Sequence, residues 1–263
     1  MLRFHVWPLL LLLAARAATA NDLCAERDGC EDASDTDDLG LLEIHRAAAR
    51  EYTSEWTISS VLNAMGAAFA RLKVKECRVA KSGGLFVPEM TKEENAIGVY
   101  PEGFFNVVAI NKTHVKRSHM SPATVHCHAK DSIPFRVTGK CARDEDDKTH
   151  LSEFIQMDVT SVKENCNAPS ADQGTAMIET ILKTSGIFDP TTKYSYSKDR
   201  LPELVDGGQE LLINGVEVAS GGDAVTAVAE LYGLDKPCAI RWSLGVERLV
   251  MAANGFADIH KVK

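Results

Sequence analysis

The sequence predicts an α+β fold in which an antiparallel β-sheet is flanked by helices. Three observations lead to this class: a helical pattern over residues 39–72, strand patterns through the middle of the chain, and a last helix that begins near Gly245. A run of strands between terminal helices favours one sheet with helices packed against it over a strictly alternating arrangement of strands and helices.

The first and last helices have the clearest periodicity. Thr53-Ser54-Glu55 offers an N-cap for the first helix, and apolar residues then recur near helical spacing at Trp56, Val61, Met65, Phe69 and Leu72. In the last helix the apolar positions on one face are Val246, Leu249, Val250 and Ala253. A further amphipathic helix is predicted over residues 176–185.

The strands are predicted from alternation and from turn residues. Residues 134–138 and 153–159 are typical of strands, and the second stretch alternates between inward and outward positions. Asn214-Gly215 is typical of a tight hairpin turn and divides residues 210–219 into two strands.

The N-terminus predicts a targeting segment rather than part of the fold. Residues 1–20 combine Arg3, an apolar run and Ala18-Thr19-Ala20, which is the pattern of a secretory signal peptide. The run is too short to span a bilayer, and we expect no transmembrane helix. Residues 21–38 carry eight acids against Arg27 alone, which predicts an acidic disordered leader and disfavours a transit peptide. The folded domain is therefore expected at residues 39–263, in a protein that enters the secretory pathway.

Charge and cysteine content set further limits. Residues 1–20 hold two of the 29 basic residues and no acid, so the remainder carries 27 basic against 37 acidic residues, a net charge of −10. This balance disfavours a broad nucleic-acid-binding face. The seven cysteines are an odd number, which leaves one thiol unpaired or bonded between chains, and Cys24 is close enough to Cys30 to pair with it. Asn111-Lys112-Thr113 is a glycosylation sequon.

Three blocks of residues carry candidate chemistry: 117–122, 139–158, and 215–222 together with 242–249. In the second, a hairpin that carries Arg143 and Phe154 could hold a phosphate and a planar base. In the third, Arg248 follows Gly245 at the start of a helix, where an anion is favoured, and Glu217 could hold magnesium between phosphates. Taken singly, a solvated charged turn and a surface carboxylate are the commoner explanations.

In combination and in this order, the blocks resemble the catalytic core of class II aminoacyl-tRNA synthetases. The second block is similar to motif 2 and the last to motif 3, in the phenylalanyl, pyrrolysyl and phosphoseryl subgroup. The likeness is greatest to the phenylalanyl α chain, whose patterns are R-x-H-x-S-P, R-x-[ED]-x-x-D-x-T-H and F-H-Q-x-E. They correspond in order to residues 117–122, 143–150, which is one residue shorter than the pattern, and 154–158. Residues 233–237 are similar to a segment of the pyrrolysyl enzyme. The resemblance runs from Arg117 to the C-terminus.

The resemblance implies ATP and Mg²⁺ as cofactors and assigns roles by position. Arg143 would contact the α-phosphate and stabilise charge there during attack by the amino-acid carboxylate. The other residues implied at the nucleotide are Glu145 at the adenine amino group, Phe154 stacked on the base, His150 near the β- and γ-phosphates, and Arg248 with Gly245 at the adenine and γ-phosphate. Glu217, with Ser220, would hold magnesium. The residues implied around the amino acid are His119, Ser121, Gln156 and Asp158.

The sequence also departs from the family pattern. Ser243 replaces the first glycine of motif 3, and Asp158 replaces a glutamate. Motif 1, which builds the homodimer of the family, is faint in the helix around Trp56. Arg241 stands where phenylalanyl enzymes have a small residue at the end of the amino-acid pocket. Arg241 therefore pairs with an acidic substrate, turns outward from a shallow pocket, or pairs with a protein acid such as Glu217 or Asp223.

A metal site at His126-Cys127-His128 is an alternative, with zinc held by His and Cys. Adjacent residues on a strand point to opposite faces, so a structural cluster is favoured over zinc.

Three functions remain open. The first is activation of an α-amino acid with transfer to the acceptor end of tRNA. The second is an ATP-dependent ligase that acts without tRNA on a small molecule or carrier protein. The third is a paralogue that has kept the fold and lost the chemistry.

Overall fold

The computed structural model describes residues 55–77, 87–98, 106–127, 134–163, 171–199, 201–234 and 237–263. The predicted signal peptide, the acidic leader, Cys24 and Cys30 lie outside these ranges.

Nine strands form two sheets within the described residues. They are β1 Lys75–Glu76, β2 Glu89–Thr91, β3 His114–Lys116, β4 Phe135–Ala142, β5 Glu153–Lys163, β6 Tyr194–Lys198, β7 Gln209–Ile213, β8 Val216–Asp223 and β9 Cys238–Gly245. The main sheet has seven strands in the order β1-β4-β5-β9-β8-β7-β6, and β2 pairs with β3 in the small one. Only the edge pair β1–β4 is parallel among these pairings, so the predicted antiparallel sheet is confirmed.

Six α-helices accompany the sheets in the described part of the chain. They are α1 Ile58–Arg71, α2 Lys92–Asn95, α3 Ser121–Thr124, α4 Ala171–Ser185, α5 Thr226–Ala229 and α6 Val246–Asn254. Single 3₁₀ turns lie at Val205–Gly207, Glu230–Tyr232 and Ile259–Lys261. Helices α4 and α6 pack against the strands of the main sheet, and α1 packs against both of these helices. The α+β class predicted from the sequence is therefore confirmed.

Two helix boundaries differ from the sequence prediction. Helix α1 is capped by Thr57, whose side chain accepts the Ser60 N–H while the Ser60 side chain accepts the Thr57 N–H, and not by residues 53–55. Helix α4 begins at Ala171 rather than at 176. Its first turn contains polar residues and Gly174, so the apolar periodicity becomes visible only one turn after the helix has begun.

The two faces of the main sheet have different roles. The helical face is apolar, with Trp242, Leu244 and Met157 buried against the helices. On this face Gly221 cannot be replaced, because a β-carbon there would overlap the Arg241 carbonyl and lie 2.7 Å from Trp242 Cα. The hairpin turn is also as predicted, with φ of 52° at Asn214 and 78° at Gly215. The opposite face combines a second apolar cluster, which includes Phe135, with an open cavity.

No helix in the described ranges is both long and apolar enough to cross a membrane.

Candidate active site

A cavity of about 440 Å³ opens on the face of the main sheet that the long helices leave uncovered. All of the sequence-predicted site residues except Asp158 line it: His119, Ser121, Arg143, Glu145, His150, Phe154, Gln156, Glu217, Ser220, Arg241, Gly245 and Arg248. Asp158 is 2% exposed and lies on the same strand, two residues from Gln156. Three separate sequence blocks thus meet in one pocket.

Strand register explains why the centre of the pocket contains these residues. On β5, Phe154, Gln156 and Asp158 are two residues apart, so their side chains project from the same face. Across the ladder, Gln156 pairs with Gly245 and Asp158 pairs with Ser243. The antiparallel pairing thereby brings the motif 2 strand beside the motif 3 strand.

A β-bulge brings Glu217 and Ser220 to the same face. Residues three apart on a regular strand would point to opposite faces. The register of β7 with β8 shifts by one residue between Leu211 and Leu212, which leaves Val218 without a partner. Beyond the shift Glu217 pairs with Leu212, while Ser220 pairs with Glu210, so both oxygen-bearing side chains line the cavity.

At one end of the cavity, which we call the nucleotide end, Arg143 is held by two contacts. Its Nε donates to the Ser118 carbonyl at 3.1 Å, and its guanidinium carbon lies 5.2 Å from the centre of the Phe154 ring. The hydrogen bond and the cation–π contact fix the plane of the guanidinium. Its terminal nitrogen atoms make no hydrogen bond with a described residue, which leaves them for a phosphate.

The second arginine of the nucleotide end is paired within the protein. Arg248 Nη1 lies 3.0 Å from Glu217 Oε2, and Arg248 Nε donates to the Thr149 carbonyl at 3.2 Å. The two side chains are 20% and 36% exposed, so water and ligands reach the pair. The predicted phosphate ligand and the predicted metal ligand therefore neutralise each other in this structure.

The β4–β5 loop holds Glu145 and His150 together. Glu145 Oε1 accepts a hydrogen bond from Asn106 Nδ2 at 2.6 Å, and Glu145 Oε2 lies 3.7 Å from His150 Nε2. Asp147 accepts the backbone N–H groups of Thr149 and His150. The backbone hydrogen bond from Thr149, followed by hydrogen bonds from the side chains of His150 and Thr149, lowers the pKa of Asp147. Asn106 lies outside all the motif blocks, so no sequence pattern marked it.

At the opposite end, which we call the amino-acid end, Arg241 points inward and is 7% exposed. Its Nη1 donates to the Gly98 carbonyl at 2.7 Å, and its Nη2 donates to Ser121 Oγ. No ion pair among the described residues includes Arg241, and Glu217 is paired with Arg248 instead. Two alternatives are therefore wrong: Arg241 neither turns outward nor pairs with Glu217 or Asp223.

Gln156 and Asp158 form a buried pair beside Arg241. Gln156 Nε2 donates to Asp158 Oδ1 at 2.7 Å, whereas Oδ2 has no hydrogen-bond partner. Burial raises the pKa of Asp158, and the charge of Arg241 opposes that rise. A buried carboxylate oxygen with unused acceptor capacity suits the ammonium group of an amino acid.

His119 needs a correction. Its Nε2 lies 2.6 Å from the Asn95 carbonyl and so carries the proton, while its Nδ1 accepts the Ser121 N–H at 3.2 Å. Burial lowers the pKa of His119 to about 3, so the ring stays neutral. Both nitrogen atoms are used within the protein, and His119 therefore positions Ser121 rather than contacting an amino group.

Sequence reasoning also missed Glu247. This first-turn residue of α6 is 5% exposed, and both carboxylate oxygens accept the Ile155 N–H at 2.9 Å. Burial raises its pKa to about 7, against the opposing effect of that hydrogen bond. The interaction joins motif 2 to motif 3. In the sequence, the position of Glu247 directly before Arg248 could have marked it as a site residue.

The alternative of a zinc site at residues 126–128 is wrong, because Cys127 cannot serve as a ligand. Cys127 is bonded to Cys77 in a disulfide, so it has no thiolate for zinc. Among the described residues there is no cluster of three His, Cys, Asp or Glu side chains that could hold a metal. Cys141 is a free, buried thiol, and burial raises its pKa to about 12.

Glu217 and Ser220 fit magnesium as part of a shared site. Both offer hard oxygen atoms at the cavity wall, and Mg²⁺ in nucleotide sites takes one or two protein ligands with the remainder from phosphate and water. Glu217 and Ser220 match that requirement, because they supply two ligands and leave the remaining positions to the nucleotide phosphates and water.

Comparison with protein families decides what kind of domain this is. The family model described as tRNA synthetases class II core domain (F) matches residues 41–263. The chain belongs to this family. Two solved structures of pyrrolysyl-tRNA synthetase from Desulfitobacterium hafniense share its fold, with TM-scores of 0.58 and 0.59 and identities of 15% and 17%. The matches cover 95% and 91% of those chains and 100% and 98% of this one.

Curated relatives of this class II core are described as O-phosphoserine–tRNA(Cys) ligases. The protein from Methanococcus maripaludis strain C6 is 30% identical over 177 residues, which are 62% of this chain and 32% of that one. The protein from Archaeoglobus fulgidus is 28% identical over 200 residues, 68% and 36% of the two chains. The chain thus spans about a third of the length of these relatives. The predicted subgroup agrees with these names, while the particular likeness to the phenylalanyl α chain stays a prediction.

Proposed function

We propose that the protein activates an α-amino acid with ATP, as an aminoacyl-adenylate, and transfers it to tRNA. The observation that carries this proposal is that one cavity brings together three arginines, Arg143, Arg241 and Arg248, with the carboxylate of Glu217. The buried carboxylate of Asp158 is hydrogen-bonded to Gln156 of the cavity wall. Membership of the class II core family supports the reaction class.

The chain's own groups suit the chemistry of adenylate formation. The substrate carboxylate forms a bond to the α-phosphorus while the bond to the bridging oxygen breaks and pyrophosphate leaves. No protein base is needed, because the nucleophile is already ionised. Arg143 stabilises charge on the α-phosphate, and Arg248 leaves Glu217 to meet the γ-phosphate. Magnesium, when bound, would neutralise phosphate charge beside Glu217 and Ser220.

The substrate we propose has an acidic side chain, as O-phosphoserine does. Arg241 has five N–H donors and uses two of them on Gly98 and Ser121. A buried guanidinium without an ion pair among the described residues is best satisfied by an anionic ligand. The curated relatives, which are named for O-phosphoserine, support the same substrate class.

The test is amino-acid-dependent exchange of pyrophosphate into ATP. We expect exchange with O-phosphoserine above that with glutamate, aspartate or phenylalanine. Arg241→Ala should lower the O-phosphoserine activity about 10-fold to 150-fold, which corresponds to about 1.5–3 kcal/mol for a charge-assisted contact. Arg136→Ala is the matched control, since Arg136 is also largely buried but pairs with Glu76 away from the cavity. A preference for phenylalanine that Arg241→Ala leaves unchanged would exclude an acidic substrate.

A ligase that acts without tRNA is the second candidate. It is favoured by the net charge of −10 on residues 21–263, which disfavours binding to a polyanion. The two candidates separate in a charging assay: transfer of the labelled amino acid to tRNA supports the first, and exchange without any charging supports the second. A paralogue without activity would show neither. The cavity's arginines and Glu217 argue against it.

We also propose that the protein enters the secretory pathway. The Cys77–Cys127 disulfide suits an oxidising compartment, and Asn111 of the sequon is exposed. N-terminal sequencing should find Asn21 first, and glycosidase treatment should reduce the mass at Asn111. Intact Met1 on cytoplasmic protein would contradict the proposal.

A further inference from the structure

Asn95 is a buried polar residue that no motif marks. It ends the four-residue helix α2 and is only 3% exposed. Its helix begins with a capping box, in which Thr91 and Glu94 exchange backbone hydrogen bonds with each other's side chains. The cap fixes where the helix starts, and therefore where Asn95 lies relative to the main sheet.

The side chain of Asn95 holds Ser118 through three hydrogen bonds. Asn95 Oδ1 accepts the Ser118 N–H at 3.0 Å and the Ser118 hydroxyl at 3.3 Å, and Asn95 Nδ2 donates to Ser118 Oγ at 3.0 Å. The Ser118 carbonyl then accepts the Nε–H of Arg143. One arm of the network thus runs from Asn95 to the arginine at the nucleotide end.

A second arm runs from the same turn to the amino-acid end. The backbone carbonyl of Asn95 accepts the Nε2–H of His119, and His119 Nδ1 accepts the Ser121 N–H. Arg241 donates to Ser121 Oγ, and its other terminal nitrogen donates to the carbonyl of Gly98, three residues after Asn95. Both arginines are therefore oriented by residues 95–98.

We propose that Asn95 is a positioning residue that sets Arg143 and Arg241 together, and so couples the ATP site to the amino-acid site. This rests on the proposed function. Arginine has many rotamers, and a donor that is already oriented loses less entropy when it binds an anion. A buried network in which every member has its partner is also rigid, so a disturbance at Asn95 reaches both arms.

The test compares three asparagine variants in pyrophosphate–ATP exchange with O-phosphoserine. Asn95→Ala should raise the KM for both ATP and O-phosphoserine and lower kcat/KM at least tenfold. Asn95→Asp should restore most of the activity, since a carboxylate can still accept the Ser118 N–H and hydroxyl. Asn254→Ala is the matched control, because Asn254 makes a similar two-bond tie to the Trp56 backbone, outside the cavity. Its kinetic parameters should stay within about twofold of wild type, because neither Asn254 nor Trp56 lines the cavity.

A second readout does not depend on activity. This readout is NMR ¹⁵N relaxation of the arginine Nε–H groups, whose signals are assigned with Arg143→Lys and Arg241→Lys. The Nε–H groups of Arg143 and Arg241 should both be rigid in the wild type and both mobile in Asn95→Ala. If Asn95→Ala does not fold, Ser118→Ala removes two of the three hydrogen bonds and should loosen Arg143.

The outcomes separate the two proposals. A wild type without exchange but with the expected relaxation changes would end the proposed function and keep the role of Asn95. Unchanged relaxation at both arginines in folded Asn95→Ala, or a rise in only one KM, would overturn the coupling.

Discussion

The two ends of the cavity are built differently. At the amino-acid end, His119, Ser121, Gln156, Asp158 and Arg241 are all at most 7% exposed and bond to one another or to the backbone. At the nucleotide end, the Arg248–Glu217 pair is open to water.

The difference shows how each end meets its ligand. The amino-acid end is already oriented, and its side chains have little freedom left to lose on binding. The nucleotide end must exchange an internal ion pair for phosphate and metal, which makes it responsive to the metal as well as to the nucleotide. We therefore expect changes at the first end to alter stability as well as binding, and changes at the second to alter mainly affinity.

The largest effect should come from the covalent tie near the amino-acid end. Cys127 follows helix α3, and its disulfide with Cys77 closes a loop with a sequence separation of 50 residues. Replacing both cysteines by alanine should lower the free energy of unfolding by about 2–5 kcal/mol. Urea denaturation measures the loss, and hydrogen exchange should find it first in residues 118–124. Cys141→Ala, which removes a buried thiol but no cross-link, is the control. Equal effects of the two changes would contradict a special role for the disulfide.

Glu247 is an exception to the contrast between the two ends, because it lies at the nucleotide end and is nevertheless buried. A change at Glu247 should therefore alter stability. Its pKa is raised from 4.5 to about 7 in the fold. The stability from this shift is complete below pH 4.5 and is lost as the pH rises through 7, since the buried carboxylate is then charged. Glu247→Gln has no charge to bury. Relative to it, the wild type should lose stability between about pH 4.5 and 7, by about 3 kcal/mol.

Urea midpoints of wild type and Glu247→Gln across this pH range measure the difference. Glu230→Gln is the control, as Glu230 is exposed and should follow the wild type at every pH. Parallel curves for wild type and Glu247→Gln would show that burial does not shift the group.

The phosphate arginines should change affinity without changing stability much. Arg143→Ala and Arg248→Ala should each weaken Mg-ATP binding by about 1.5–3 kcal/mol, since each removes a charge-assisted hydrogen bond to phosphate. Calorimetry with Mg-ATP measures the loss, and Arg71→Ala, at the exposed end of α1, is the control. Unchanged affinity in both variants would remove the nucleotide from this end of the cavity.

The sequence predicted which residues line the cavity better than it predicted the hydrogen bonds that hold them in place. Arg143, Phe154 and Arg248 were found because motif spacing is local, and the strand register then brings them together. The class of the fold followed from periodicity for the same reason.

The missed features depend on contacts between distant segments. Asn95 contacts Ser118 across 23 positions and Glu247 contacts Ile155 across 92, and no periodicity connects such residues. The role of His119 was mistaken for a related reason. The motif specifies a histidine, but only the fold shows that the Asn95 carbonyl and the Ser121 N–H occupy both ring nitrogen atoms.

The smallest expected effect concerns the ion pair itself. Without metal, ATP must separate Arg248 from Glu217, a partly exposed pair of the kind that contributes about 0.2–1 kcal/mol. Glu217→Gln weakens that competition, so its affinity for ATP in EDTA should rise by up to about fivefold. With magnesium the sign should reverse, because the variant has lost a metal ligand. Parallel calorimetric titrations in EDTA and in magnesium measure both signs. Glu179→Gln is the control, because the Glu179 carboxylate lies 2.6 Å from Lys183 Nζ and neither residue lines the cavity. This variant should leave the ATP affinity unchanged in both titrations. If Glu217→Gln changed the ATP affinity in the same direction in EDTA and in magnesium, Glu217 would not exchange its contact with Arg248 for one with the metal. The contrast between the two ends of the cavity would then lose its physical basis.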